Sequence, residues 1–262
     1  MSSTPRYRTS PFTTNRRMAA ASAAICAEYD TIHTITEVDV TEPRRLIREH
    51  RERTGERLSL TAYVVACLAR TVTEFPNFNA IRSGGRLVVF DDVTIGTLVE
   101  RTVGGETVPE PLPIPAADKL TFRQIHDLIR EAAARGGDQE LGTLSGMTWV
   151  PRLLPTWLFK TFIRIAARNA RVAATHGCIA VTAVGMFGPS PMWLVPLSAS
   201  TVAVAVGSIV KRVVMVDGAP VEREHLCLTI SFDHDLIDGA PAARFTKRFA
   251  EVLASGDALR DL

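Results

Sequence analysis

Acidic residues are missing from the start of this chain, and charge of either sign is missing from a long stretch near its middle. No Asp or Glu precedes Glu28, and Val172 to Val210 contains no Asp, Glu, Lys or Arg. The Ser-, Thr- and Arg-rich N-terminus has the composition of a transit peptide, but it has no apolar core, which excludes a secretory signal. It is expected to be an exposed flexible arm over residues 1–14 that packs on a neighbouring subunit, ahead of a single domain over 15–262. A hydropathy window would flag the uncharged stretch as a membrane span. Gly177, Gly185, Gly188, Pro189, Pro191 and Pro196 cut it into pieces too short to cross a bilayer. No membrane span is therefore expected.

Other absences narrow the function. The four cysteines, Cys26, Cys67, Cys178 and Cys227, form no CxxC pair, so neither a disulfide frame nor a zinc site is expected. Reduced thiols fit a cytoplasmic protein with no bound metal. Thirty Lys and Arg against twenty-eight Asp and Glu leave a net charge of +2, which is no nucleic-acid footprint. The glycine pairs at 84–85, 104–105 and 136–137 fall in probable turns, so there is no Gly-rich phosphate loop. His50, His126 and His225 stand among charged residues and read as surface groups. His176 reads as structural.

What remains is an ordinary globular chain of 262 residues, 46% hydrophobic and 22% charged. Asn15 to Glu28 is Ala-rich and helical. Thr31 to Val40 alternates as a strand does. Pro43 suits the first turn of a helix that Gly55 ends. Leu58 to Glu74 presents an apolar helical face. A hairpin around Ser83-Gly84-Gly85 leads to another strand, and the Pro-rich run from Val108 to Lys119 reads as a loop. Thr121 to Arg135 is a helix with Thr121 at its cap. GCIAVTAV (177–184) and STVAVAVGSIV (200–210) read as buried strands. The mixture predicts one α/β domain with a mixed β-sheet and flanking helices.

Trp149 to Ala174 is apolar and basic. Leu158, Phe162 and Ile165 recur at helical spacing, with Lys160, Arg164, Arg168 and Arg171 elsewhere. Such a helix would suit a membrane surface or an acyl chain. A core-packed helix with a solvated basic side is the preferred reading.

Chemistry concentrates in Leu228 to Leu253. An alternating strand ends at Phe232, followed by Asp233, His234, Asp235, then Asp238-Gly239 and a helix. Imidazole titrates near neutrality, and a histidine held on a strand end is placed for general-base work. Asp238 can brace it, and Gly239 would permit the turn.

DHDLIDGAPAARF (233–245) resembles the D-H-R-x-x-D-G-A-x-x-A-R-F motif in the acyltransferase core of 2-oxoacid dehydrogenase complexes. That core shares its fold and the H-x-x-x-D-G signature with chloramphenicol acetyltransferase. Four further blocks follow the family's order. They are LSLTAYVVACLARTVTEFPNFNA (58–80), FDDVTIGTLVE (90–100), GCIAVTAVGMFG (177–188) and STVAVAVGSI (200–209). The resemblance implies a trimer with its active site between subunits. It implies His234 as general base, Thr182 as oxyanion donor, and Asp238 as orienter with Arg17 as a candidate partner. Arg17, His33, Gly185 and Phe187 match family positions near the substrates, coenzyme A among them.

The chain departs from the pattern at several points. Asp235 stands where the motif has Arg, Ala183 where it has Asn, and Ile32 where it has Pro. The channel segment becomes GGETVPEPLPIP (104–115), and 149–174 reads as an insertion. Asp118-Lys119 looks like a lipoylation dipeptide, yet it falls inside the core blocks, so no lipoyl attachment site is expected and the core is read as free-standing. The expectation is a homotrimer, possibly within a higher assembly, that transfers an acyl group between coenzyme A and a dihydrolipoyl-type thiol. A lipoylated protein or a 2-oxoacid dehydrogenase would be its partner. The alternatives are a small hydroxyl or amine acceptor, or a non-catalytic scaffold.

Overall fold

The computed structural model describes residues 7–103, 106–134, 156–184, 190–260 and 262. Eight strands form in chain order: β1 (Thr31–Asp39), β2 (Ala80–Ser83), β3 (Arg86–Val89), β4 (Ile95–Val103), β5 (Glu106–Ile114), β6 (Ile179–Ala183), β7 (Val202–Val216) and β8 (Ala219–Asp233). The helices are α1 (Thr14–Cys26), α2 (Thr41–Thr54), α3 (Leu60–Thr73), α4 (Phe122–Ala134), α5 (Thr156–Ala167), α6 (Ala170–His176) and α7 (Gly239–Ser255). Six strands make one mixed sheet in the order β1-β8-β7-β6-β4-β5, while β2 and β3 form a separate hairpin. β6 runs parallel to both β4 and β7; the other pairings are antiparallel.

The central strands sort their side chains by face. Ile179, Val181, Val202, Val204, Leu226, Leu228, Ile230 and Phe232 join one buried cluster with Tyr63 and Leu68 of α3 and Phe245 and Phe249 of α7. Phe245 stacks on Phe78 at 4.7 Å and meets Phe232 edge-on at 5.8 Å. Residues of the opposite face are small: Ala180, Thr182, Ala203, Ala205, Thr229 and Ser231. The chain between β6 and β7 comes close to β7. Met192 exchanges hydrogen bonds with Ser208, and Trp193 Nε1 donates to the Thr36 carbonyl of the edge strand β1.

Local signals explain several boundaries. Gly55 ends α2 in the left-handed region at φ 77°. Ser59 caps α3 by accepting from the Ala62 N–H, and Thr121 accepts from Gln124 N–H at the start of α4.

Three expectations fail. The run read as a loop after Val108 is largely strand β5. Pro109, Pro111 and Pro113 pair with Glu100, Leu98 and Gly96, at every second position. Alternate residues aim their backbone nitrogens to the same side, and an edge strand has one side free of partners. The ring therefore costs no ladder bond. Trp149–Ala174 is not one core helix. Its described part is α5 and α6, restarted at Asn169, whose side chain accepts from the N–H groups of Arg171 and Val172. Leu158 and Ile165 lie at the surface, 36% and 63% exposed. His50 and His126 are buried rather than superficial. They flank Glu56, with His50 Nε2 2.9 Å and His126 Nε2 3.5 Å from its carboxylate, and Ser59 N–H donates to His126 Nδ1. Arg123 also grips Glu56, and with His50 holds that carboxyl down at about 2.

Gly207 sits where β7 bulges between Val206 and Ile209. A Cβ there would meet the Met192 carbonyl at 2.1 Å and the Cys227 carbonyl at 3.0 Å, both backbone. Gly207→Ala is expected to cost about 1–3 kcal/mol, read as a fall of several degrees in the thermal midpoint, whereas Gly85→Ala, with open space around its Cβ and no left-handed φ, leaves the central sheet intact.

Candidate active site

β8 is buried from Leu226 to Asp233 and then stops. Two backbone bonds hold its end: Asp233 N–H donates to the Thr201 carbonyl, and His234 N–H donates to the Asp30 carbonyl at 2.7 Å. Asp233 is itself buried, and its Oδ1 accepts from Asp235 N–H two residues on. That aspartate turn bends the chain sharply enough to send the next side chain outward. Leu236 and Ile237 N–H close onto the Asp233 carbonyl, and Ile237 buries its side chain beneath. His234 and Asp235 are left facing out, with His234 46% exposed on a rigid base.

Asp238 is the N-cap of α7 but makes no side-chain cap bond. Its carboxylate is 86% exposed and lies 3.8 Å from His234 Nδ1, within ion-pair reach but too far for a hydrogen bond. The expected turn role for Gly239 does not hold. It is the first residue of α7, has no left-handed φ, and a Cβ there meets nothing within 4 Å.

Asp235 does not leave its charge beside the histidine uncompensated. Arg82, on the β2–β3 hairpin, donates to Asp235 Oδ2 at 2.6 Å. The residues Arg82, Asp233 and Asp235, with Tyr29 and Arg168, line a cavity of about 280 Å³ next to the His234 turn. Burial pushes the Asp233 carboxyl up; the bond from Asp235 N–H works against this, and the Asp235 charge adds to it. None of Arg82, Asp30 and Asp233 was assigned a role from the sequence. Arg82 and Asp235 are 153 positions apart, so no local signal links them.

The other expected residues scatter. Thr182 lies on the small-residue face, level with Ala205 and Thr229. The end of β8 is four residues further along and two strands across, roughly 16 Å away at standard strand spacings. Within one chain, Thr182 and His234 therefore do not meet. The Thr182 hydroxyl has no hydrogen-bond partner among the described residues. His33 shares that face and places Nδ1 2.8 Å from Ser231 Oγ. Arg17 stands exposed on α1, and no ion pair joins it or any other arginine to Asp238 among the described residues. Gly185 and Phe187 lie outside the described residues. No group of three metal-ligating side chains, and no helix long and apolar enough to cross a membrane, occurs among the described residues.

The family model for the 2-oxoacid dehydrogenases acyltransferase (catalytic domain) matches residues 4–148 and 165–259. The chain belongs to this family. Its relatives include the acetyltransferase component of the pyruvate dehydrogenase complex of Cupriavidus necator, 26% identical over 83% of this chain and 34% of that protein. The lipoamide acyltransferase component of the branched-chain alpha-keto acid dehydrogenase complex of Bacillus subtilis is 28% identical over 86% and 46%. The chain thus spans a third to a half of the length of these curated relatives. Among solved structures, a dihydrolipoamide acetyltransferase of Azotobacter vinelandii superposes with a TM-score of 0.71 at 21% identity, covering 97% of this chain and 94% of that one. A probable dihydrolipoamide acetyltransferase of Listeria monocytogenes gives 0.70 at 20%, covering 94% of each. The mixed sheet with flanking helices is therefore the fold of these acyltransferase cores. The family's second matched block begins at 165 and contains both Thr182 and His234; residues 149–164 fall between the blocks.

Asp233 gives this turn a pH signature. Its folded pKa lies above the unfolded value, so its favourable contribution is present below the ordinary carboxylate range and is lost as pH rises through the raised value. Asp233→Asn keeps the Oδ1 acceptor and removes the charge. Its thermal midpoint is expected to exceed wild type at pH 7, with the gain vanishing near about pH 3, where the wild-type carboxyl is protonated too.

Proposed function

We propose that this chain is an acyltransferase that moves an acyl group between a coenzyme A thioester and a thiol acceptor of the dihydrolipoyl type, with His234 as general base. The observation that carries the reading is the end of β8. A buried strand, two backbone bonds and an aspartate turn present one imidazole to solvent with a carboxylate 3.8 Å from its Nδ1. A base so placed keeps its ring orientation while Nε2 works on substrate.

In the step proposed, His234 takes the proton from the acceptor thiol, and the sulfur attacks the thioester carbonyl. The carbonyl oxygen becomes an oxyanion. A hydroxyl donor is needed there, and Thr182 has an unengaged one. Because the register holds Thr182 far from its own His234, the donor comes from a neighbouring protomer, and the working unit is a homotrimer. Collapse of the intermediate expels the coenzyme A thiolate, which recovers the proton from the imidazolium. Asp238 steadies the charged ring during that interval. In the Azotobacter vinelandii acetyltransferase, a serine, a histidine and an asparagine have been investigated for their role in the catalytic mechanism, the last two four residues apart. His234 and Asp238 have the same spacing, with a carboxylate in place of the amide.

The scaffold reading loses its main support at Asp235, since Arg82 neutralises the added charge. The acyl group is set outside the shared motif, because relatives named for acetyl, succinyl and branched-chain substrates match at similar identity, 24–28%. Lys119 of the lipoyl-like dipeptide lies in a 3-10 helix of the core and pairs with Asp92.

The test is thiol release from a panel of acyl-CoA thioesters with dihydrolipoamide, then with hydroxyl and amine acceptors. Acceptor-dependent release should fall at least about a hundredfold in His234→Ala and about 10²–10³-fold in Thr182→Val, with Thr182→Ser retaining most of it. Release that His234→Ala leaves unchanged would remove this histidine from the chemistry.

A further inference from the structure

The charge of this chain is segregated in a way its small net value hides. Residues 1–27 and 141–210 together carry nine Lys and Arg and not one acid; the rest of the chain holds twenty-one cations and twenty-eight acids. The fold brings described parts of these two stretches together, because α1 packs against α5. Arg164 of α5 pairs with Glu28, just beyond α1. Arg8, Arg16, Arg17, Lys160 and Arg171 form no close ion pair among the described residues, and Lys160 acts on Glu28 only at longer range.

Apolar side chains are exposed on the same elements. Phe12 is 66% exposed just before α1, Leu158 and Ile165 project from α5, and Val172 from α6. Lys160 lies between Leu158 and Ile165 in the sequence, and Arg171 adjoins Val172. A helix lying in the plane of a bilayer combines apolar side chains with Lys and Arg that reach the headgroups. Most of α5 also falls between the two blocks matched by the family model, so the shared acyltransferase core is complete without it.

We propose that the α1–α5 layer is a docking surface for an anionic lipid bilayer. Leu158, Ile165 and Phe12 enter the headgroup boundary, and Arg8, Arg16 and Lys160, with Arg171 on the adjoining α6, pair with lipid phosphates. The lack of any acid in either stretch removes the repulsion that such a surface would otherwise impose. This inference does not depend on the acyl-transfer reading.

The experiment is cosedimentation of the whole chain with vesicles of phosphatidylcholine alone or with about a third phosphatidylglycerol. Binding should be at least about tenfold greater on the anionic vesicles and should fall steeply between about 0.1 M and 0.5 M salt, as the Debye length shrinks below 10 Å. Leu158→Glu with Ile165→Glu should abolish it. Val213→Glu, at an exposed apolar position on the β7–β8 hairpin, should not. All these positions are at the surface, so an unchanged thermal midpoint establishes that the variants fold. Equal binding to neutral vesicles, or no binding to either, overturns the proposal. So does a double variant that binds vesicles normally but changes the oligomeric state in lipid-free solution, which would assign this face to a second copy of the chain.

Discussion

Two hydrogen bonds at the end of one strand, Asp233 to Thr201 and His234 to Asp30, determine where the imidazole stands. They can do so because β8 is a central strand, paired with β1 on one side and β7 on the other, and buried over its last eight residues. A strand held in this way has no freedom to slip, since a one-residue shift would turn Leu226, Leu228, Ile230 and Phe232 out of the core. The aromatic cluster of Phe78, Phe232 and Phe245 extends the constraint to α7, whose first turn carries Asp238. The base and its carboxylate are thus fixed by packing that neither takes part in.

The same sheet separates the two proposed reacting groups. Thr182 lies on one strand of the sheet and His234 directly follows the end of another, so the ladder fixes their separation. No side-chain rotation closes a gap of roughly 16 Å. A subunit of this architecture holds two half-sites, one facing outward at the end of β8 and the other on the small-residue face of β6. Joining them requires a heterologous contact between copies, and such contacts close into rings. Oligomerisation is then a requirement of the proposed chemistry.

Much of this was legible from local signals. Gly55 as a helix stop, Ser59 and Thr121 as caps, the turn at Ser83-Gly84-Gly85, and the buried strands around 179–183 and 202–210 each declared themselves within a few residues. His234 and Asp238 were visible from the strand, turn and helix that carry them. The failures were non-local. Proline at 109, 111 and 113 reads as a loop until the sheet order shows that β5 is an edge. His50 and His126 look superficial among charges until Glu56 and Ser59 supply their partners. Arg82 and Asp235 are joined only by folding.

The central claim is that one active site is built from His234 of one protomer and Thr182 of the next. Mixing His234→Ala subunits with Thr182→Val subunits, after reversible dissociation, tests it directly. Each variant alone is crippled. If the site is shared, random reassembly restores intact pairs at about a quarter of the sites, and acyl transfer rises to about that fraction of wild type. Activity that stays at the level of the separate variants, in mixed trimers shown to have exchanged subunits, would contradict the account.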